Sequence, residues 1–175
     1  MVIRILDILH DTTVDGPGFR TSIYCAGCSH HCPGCHNPQS WDFTAGYDKE
    51  VDDLLQEIKK DPFADVTFTG GDPFFQAEAF TELARRIKAE TNKTIWCYTG
   101  FLFEQLLERP ACRELLEQLD VLVDGPFLEQ EKSYSLRFRG SRNQRLIRVR
   151  ESLDQGSVVL WEQADPLEKF TVPES

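Results

Sequence analysis

The chain has 175 residues, of which 41% are hydrophobic and 27% are charged, a balance typical of a globular protein with a packed core. Its net charge of −10 disfavours binding to nucleic acid phosphates. No apolar run reaches the length that a bilayer requires, and the N-terminal residues lack the features of a signal peptide. We therefore expect a cytoplasmic protein that binds neither nucleic acid nor membrane.

Strands and helices are predicted to alternate along most of the chain. The predicted strands are 2–9, 20–25, 65–69, 94–98 and 120–123, with a further candidate at 157–161. The predicted helices lie around 51–58, 80–87, 103–108 and 113–119, and Asp48 is the expected N-cap of the first. This order predicts a parallel sheet, in which ligands lie at the carboxyl ends of the strands.

Chain length limits the architecture that this alternation can build. A closed barrel of eight strand–helix units needs about 250 residues, more than the 175 present. We therefore predict an α/β fold with an incomplete, open-sided (β/α) barrel and a mostly parallel sheet. Residues 1–164 are expected to form one domain, followed by a loosely ordered polar tail at 165–175.

Four of the six cysteines lie close together, between Cys25 and Cys35. In a reducing compartment such crowding indicates metal or redox chemistry rather than disulfides. Cys28, Cys32 and Cys35 have the spacing C-x3-C-x2-C. Three thiolates on so short a loop can bind one iron–sulfur cluster and leave one iron without a protein ligand, so that this iron can bind a substrate.

A zinc site is the alternative interpretation of the same loop. Cys25 with Cys28, and Cys32 with Cys35, form two C-x2-C pairs. Zinc sites usually separate two such pairs by about 12 to 20 residues, whereas only 29–31 intervene here. The competing function is a non-catalytic zinc or electron-transfer module that binds a protein.

The cysteine loop and several segments around it resemble the radical S-adenosylmethionine (SAM) enzymes that activate glycyl-radical proteins. The matching segments are 15–21 (DGPGFRT), 35–38 (CHNP), 41–42 (WD), 69–74 (TGGDPF), 96–100 (WCYTG), 123–127 (VDGPF) and 139–145 (RGSRNQR). Their order, over residues 1–150, is similar to the branch of the family that activates anaerobic ribonucleoside-triphosphate reductase. Segment 139–145 narrows the resemblance to that branch.

The resemblance implies a set of site residues. A 4Fe-4S cluster would be bound by Cys28, Cys32 and Cys35, which are then both the metal ligands and the catalytic centre. The residues implied to line SAM are Gly34, Cys35, His36, Gly70, Gly71 and Asp72. Asp72 stands where the family usually has Glu, and its structural interpretation is a strand-to-helix turn in which Asp72 or Pro73 begins the next helix.

The resemblance also implies an activity. The cluster and SAM would generate a glycyl radical on the catalytic subunit of the anaerobic reductase, after reductive cleavage of SAM. A low-potential electron donor such as flavodoxin or ferredoxin is the second implied partner. Activation of pyruvate formate-lyase or another glycyl-radical enzyme is the alternative within the family.

Other candidate residues have simpler interpretations. Cys97 and Cys112 are expected to be buried in the core, and Cys25 is either a core residue or a thiol near the site. The histidines near the loop are expected to support it or pack against it rather than to bind metal; they are His30, His31 and His36. The arginine-rich segment Arg137–Arg150 is either a solvated surface or a docking site for an acidic partner or the cofactor carboxylate.

Overall fold

The computed structural model describes residues 1–35 and 38–161. Within these residues seven strands form one sheet. The strands are β1 Val2–Thr12, β2 Arg20–Cys25, β3 Tyr47–Glu50, β4 Asp65–Gly70, β5 Ile95–Tyr98, β6 Val121–Asp124 and β7 Arg145–Arg148. The helices are α1 Val51–Lys59, α2 Ala77–Glu90, α3 Phe103–Leu107, α4 Pro110–Leu116 and α5 Val149–Gln155. The predicted tail at 165–175 lies outside the described residues, so the domain boundary stays a prediction.

The sheet is open and has the strand order β3-β1-β2-β4-β5-β6-β7. The central strands β2, β4, β5 and β6 run parallel to one another. β1 pairs antiparallel with both β2 and β3, and β7 pairs antiparallel with β6. The predicted α/β class and open sheet are confirmed, but the sheet is mixed, because β1 and β2 are joined by a loop without the crossover that parallel pairing requires.

The sequence pattern does not predict β3, β7 or α5. Both strands are four residues long and carry charged side chains, so neither shows the apolar run of a buried strand. Edge strands tolerate such residues because only one side of the backbone is paired. Conversely, the candidate strand at 157–161 is represented in the described chain by a single bridge between Ile147 and Leu160.

The described helices are short, and none is long and apolar enough to cross a membrane. The expected cap of α1 is wrong. Asp48 lies in β3, where its carboxylate pairs with the guanidinium of Arg4 at 3.3 Å. The N-cap is Glu50, whose side chain makes no capping hydrogen bond.

Alternation along the central strands gives the sheet a helix-covered face and an inner face. On β4, Val66 and Phe68 are buried in the main core, whereas Thr69 lines a cavity on the inner face. On β5, Cys97 lies in the same core and Tyr98 lines the cavity. The helices α1 to α4 supply much of the remaining core and cover one face of the sheet. A ligand site can therefore form only on the inner face.

The buried carboxylate of Asp124 joins the end of β6 to β7 and α3. It is 0% exposed, and it accepts hydrogen bonds from Arg145 Nε at 3.0 Å, Arg145 Nη2 at 2.5 Å and the Phe103 N–H at 2.8 Å. Arg145 also donates to Glu104 at 2.8 Å. Its hydrogen bonds with Asp124 and Glu104 raise the pKa of Arg145, which therefore stays charged.

We expect Arg145→Ala to lower the free energy of unfolding by about 1–3 kcal/mol, because the buried carboxylate of Asp124 loses its cationic partner. Arg150→Ala is the matched control, since Arg150 is exposed and belongs to the same arginine-rich segment. That substitution should change stability by less than about 0.5 kcal/mol. Urea unfolding at equilibrium measures both variants, and equal stabilities would contradict the structural role of Arg145.

Candidate active site

A cavity of about 1010 Å³ lies on the inner face of the sheet. The segments that follow β2, β4, β5 and β6 all contribute to its lining, so the cavity opens at the carboxyl ends of the parallel strands. The predicted site residues that line it are Cys28, Cys32, Cys35, Gly70, Gly71 and Asp72. The fold thus brings together the cysteine loop and the glycine segment, which are distant in the sequence.

The six cysteines fall into two groups on opposite sides of the sheet. The thiols that line the cavity and are partly exposed are those of Cys28, Cys32 and Cys35. The other three are buried in the core beneath the helices. The expectation for Cys97 and Cys112 is confirmed, and Cys25, which is 0% exposed, is a core residue as well.

The three loop thiols have the chemistry that an iron–sulfur cluster requires. Burial raises the pKa of Cys28 to about 11 and also raises the pKa of Cys32, so these thiols release protons when iron binds. In a cluster each of three cysteines binds a different iron, and the three thiols that line this cavity can supply those ligands. The loop therefore fits a cluster.

Backbone hydrogen bonds hold the start of the cysteine loop from two sides. On one side, the N–H of Gly71 donates to the carbonyl of Cys25 at 2.8 Å, and the N–H of Asp72 donates to the carbonyl of Gly27 at 2.9 Å. On the other side, the N–H of Gly27 donates to the carbonyl of Ser40 at 2.7 Å. The main chain thus fixes the start of the loop before any cofactor binds.

This close contact requires the glycines that follow β4. Gly70 has a φ of 105°, a conformation that residues with a Cβ rarely adopt. A Cβ on Gly71 would lie 2.5 Å from the carbonyl oxygen of Gly27, which is closer than non-bonded atoms can approach. The glycine pair is therefore needed to pack the cysteine loop, independently of any contact with a cofactor.

The carboxylate of Asp72 is 1% exposed and accepts four hydrogen bonds. Oδ1 accepts from the N–H of Phe74 at 3.0 Å and caps a short 3-10 turn, as the structural interpretation predicts. Oδ2 accepts from the Thr99 hydroxyl at 2.8 Å, the Gly100 N–H at 2.9 Å and Nε2 of His30 at 2.7 Å. A contact between Asp72 and SAM stays a prediction.

Gly34 and His36 are the other two residues predicted to line SAM. Gly34 is absent from the described cavity lining, and a Cβ at this position would lie 3.3 Å from Phe127 and 3.2 Å from Glu129. His36 lies outside the described residues. Their contacts with SAM stay predictions.

Sequence reasoning missed two tyrosines on the inner face. The hydroxyl of Tyr24 donates to Asp15 at 2.6 Å, and both residues line the cavity together with Tyr98. Burial raises the pKa of both tyrosines, so their hydroxyls stay protonated at neutral pH. The alternation of side chains along β2 and β5 is the signal that could have placed them there.

The segment Arg137–Arg150 is not a single surface. Arg145 is engaged with Asp124, whereas Arg139 is half-buried and lines the cavity. Nη1 of Arg139 donates to the carbonyl of Gln144 at 2.6 Å. Among the lining residues that the structure describes, Arg139 is the only arginine or lysine. Burial lowers the pKa of Arg139 because it disfavours the charged guanidinium, and an anion bound in the cavity would offset this effect.

The comparisons with known proteins agree with this arrangement. Residues 14–147 match the family described as 4Fe-4S single cluster domain. An anaerobic ribonucleoside-triphosphate reductase-activating protein of Vibrio cholerae is 36% identical over 139 residues, which are 75% of this chain and 88% of that protein. Proteins of the same name from Escherichia coli and Enterobacteria phage T4 are 35% and 34% identical, over 75% and 76% of this chain and 89% and 86% of theirs.

The chain belongs to this family of reductase-activating proteins. The resemblance found in the sequence is thereby confirmed. Membership in a 4Fe-4S family also favours the cluster over the zinc ion that two C-x2-C pairs left open. In this chain the cysteine loop lies against the glycine segment.

We expect Gly71→Ala to reduce the iron bound after anaerobic reconstitution to less than about half of the wild-type value, because its Cβ would push Gly27 and the loop away. Gly18→Ala is the control for backbone strain without a clash, since Gly18 has a φ of 72° but a Cβ there meets nothing within 4 Å, and it should keep the wild-type iron content. Iron content and thermal unfolding measure both variants. Wild-type iron content in Gly71→Ala would contradict the packing requirement.

Proposed function

We propose that this protein is the activating enzyme of an anaerobic ribonucleoside-triphosphate reductase. It cleaves SAM reductively at a 4Fe-4S cluster and generates a glycyl radical on the catalytic subunit of the reductase. The proposal is carried by the presence of three cysteine thiols and the glycine segment in the lining of one cavity, in a chain that belongs to this family.

The proposed partners, cellular location and type of barrel follow from the same assignment. The partners are the catalytic subunit of the reductase and a low-potential electron donor such as flavodoxin or ferredoxin. The location is the cytoplasm. The sheet is an incomplete barrel of the radical SAM type, which is supported by the strand order, because β3 and β7 lie at opposite ends of the described sheet and do not pair with each other.

In this proposal Cys28, Cys32 and Cys35 hold the cluster and leave one iron without a protein ligand. When bound, the reduced cluster supplies the electron that breaks a carbon–sulfur bond of the SAM sulfonium, giving methionine and a 5′-deoxyadenosyl radical. Gly70 and Gly71 let SAM approach the backbone. The chain holds the reacting groups at contact distance and excludes water from them.

Arg139 is the residue that we assign to the carboxylate of SAM. A guanidinium can donate two parallel hydrogen bonds to a carboxylate. Arg139 carries the only arginine or lysine charge in the described lining, and its bond to the Gln144 carbonyl fixes its position. An acidic partner protein is the alternative ligand of the same side chain.

Cys28→Ala should abolish the cluster and the cleavage of SAM to methionine and 5′-deoxyadenosine, because one of three ligands is lost. The unmodified protein should bind roughly four irons per chain after anaerobic reconstitution. Cys112→Ala is the matched control, since it removes a buried core thiol and should keep both properties. Full iron loading and cleavage in Cys28→Ala, or zinc in place of iron in the unmodified protein, would contradict the proposal.

The partner is tested separately. The loaded, reduced protein is mixed with SAM and either the anaerobic reductase or pyruvate formate-lyase, and the glycyl radical is measured by electron paramagnetic resonance. The proposal requires a radical on the reductase. A radical only on pyruvate formate-lyase would move the protein to the alternative branch of the family.

Arg139→Ala should weaken SAM binding by about 10- to 100-fold, the loss expected for hydrogen bonds to a charged group worth about 1.5–3 kcal/mol. Arg150→Ala is again the control, because Arg150 is exposed. Titration of the loaded protein with SAM measures the affinity. Unchanged SAM affinity together with weaker binding to the reductase would assign Arg139 to the acidic partner instead.

A further inference from the structure

We propose that the hydrogen bond between His30 and Asp72 positions the cysteine loop for cluster binding. His30 is a positioning residue. It holds the loop that carries Cys28 and Cys32, which lie on either side of it in the sequence. The inference rests on the proposed function in one respect, the assignment of the loop cysteines as cluster ligands. It does not depend on which protein receives the radical.

The hydrogen bond between His30 and Asp72 is one of several that the buried carboxylate of Asp72 accepts. All four partners of Asp72 donate, three of them to Oδ2 and one to Oδ1, so the acceptor capacity of Oδ2 is fully used within the protein. Because the carboxylate can only accept, Nε2 of His30 must carry the hydrogen. The distance is 2.7 Å, and Asp72 is 1% exposed, so water does not compete for this contact.

Packing holds the His30 ring in the orientation that this bond requires. The ring meets the edge of Phe101 at a centroid distance of 4.5 Å and lies 5.5 Å from Phe75. A Cβ on Gly100 would lie 2.5 Å from Cδ2 of the ring, so the imidazole occupies the space that a side chain would take there. The middle of the cysteine loop is thereby attached to the segments that follow β4 and β5.

The backbone bonds described above hold only the start of the loop. The N–H groups of Gly71 and Asp72 reach Cys25 and Gly27, which precede the first ligand. His30 is the side chain through which Asp72 reaches the stretch between the first two ligands. His30 therefore adds a side-chain attachment between Cys28 and Cys32 to the main-chain bond that the Cys28 N–H donates to Trp41.

This arrangement also accounts for an aspartate in the glycine segment. The side chain is short enough to cap the following turn with Oδ1 while Oδ2 accepts from His30, Thr99 and Gly100. The negative charge of Asp72 attracts hydrogen-bond donors of the protein itself, and these bonds hold the segments around the cavity together. Asp72 is in this respect a positioning residue as well.

The test compares three variants of the full chain after anaerobic reconstitution. His30→Phe keeps a ring between Phe75 and Phe101 but has no donor for Asp72. His30→Gln keeps an N–H donor at a similar distance from the backbone. His31→Asn is the matched control, because His31 lies in the same loop and stacks on Trp41, 4.6 Å away, rather than on the Asp72 network.

Two readouts report on the cluster independently of SAM cleavage. They are the rate at which a chelator removes iron, followed by the loss of visible absorbance, and the electron paramagnetic resonance spectrum of the reduced cluster. We expect His30→Phe to lose iron about 10-fold faster or more and to have an altered spectrum. His30→Gln should recover most of the wild-type behaviour, and His31→Asn should match the wild type.

Several results would overturn the inference. They are wild-type iron retention and spectrum in His30→Phe, equal impairment in His30→Gln, and equal impairment in His31→Asn. Thermal unfolding of the iron-free variants shows whether His30→Phe folds, and a loss of iron in a variant with an unchanged melting temperature supports the positioning role. Failure of the wild-type protein to form a radical on the reductase would count against the proposed function and leave this inference standing.

Discussion

The backbone of 70–72 lies directly against the backbone of 25–27, and the rest of the site depends on this contact. Parallel pairing of β2 with β4 places Cys25 opposite Gly70, and the hydrogen bonds of the sheet continue beyond the strands into the loop. The cysteine loop therefore begins as an extension of the sheet. It is held by the same interactions that stabilise the core, although loops of this length usually vary more than the strands they follow.

The sequence was sufficient to identify the family and to place the central strands. Cysteine spacing is a local property, so the resemblance could be recognised without knowledge of the fold. The network of Asp72 could not, because its partners His30 and Thr99 are far from it in the sequence and meet only after the strands pair. The same applies to the short edge strands β3 and β7, whose charged residues resemble those of a loop.

Sequence composition was also a poor guide to the arginine-rich segment. A run of like charges is normally interpreted as one solvated surface. In the structure these arginines have different surroundings. Arg145 on β7 donates to the buried Asp124, whereas Arg139 in the preceding loop lines the cavity. Only the pairing of β6 with β7 distinguishes these two arginines.

The sheet separates reactive thiols from inert ones. Burial raises the pKa values of Cys25 and Cys97 well above the ordinary thiol range, and these side chains have no access to solvent. Reactivity toward oxidants depends on thiolate character and solvent exposure. Oxygen would therefore oxidise the thiols of the loop and leave those of the core intact. Damage by oxygen would then be confined to the cysteine loop, and reduction of its thiols followed by rebuilding of the cluster, without refolding of the chain, would suffice for repair.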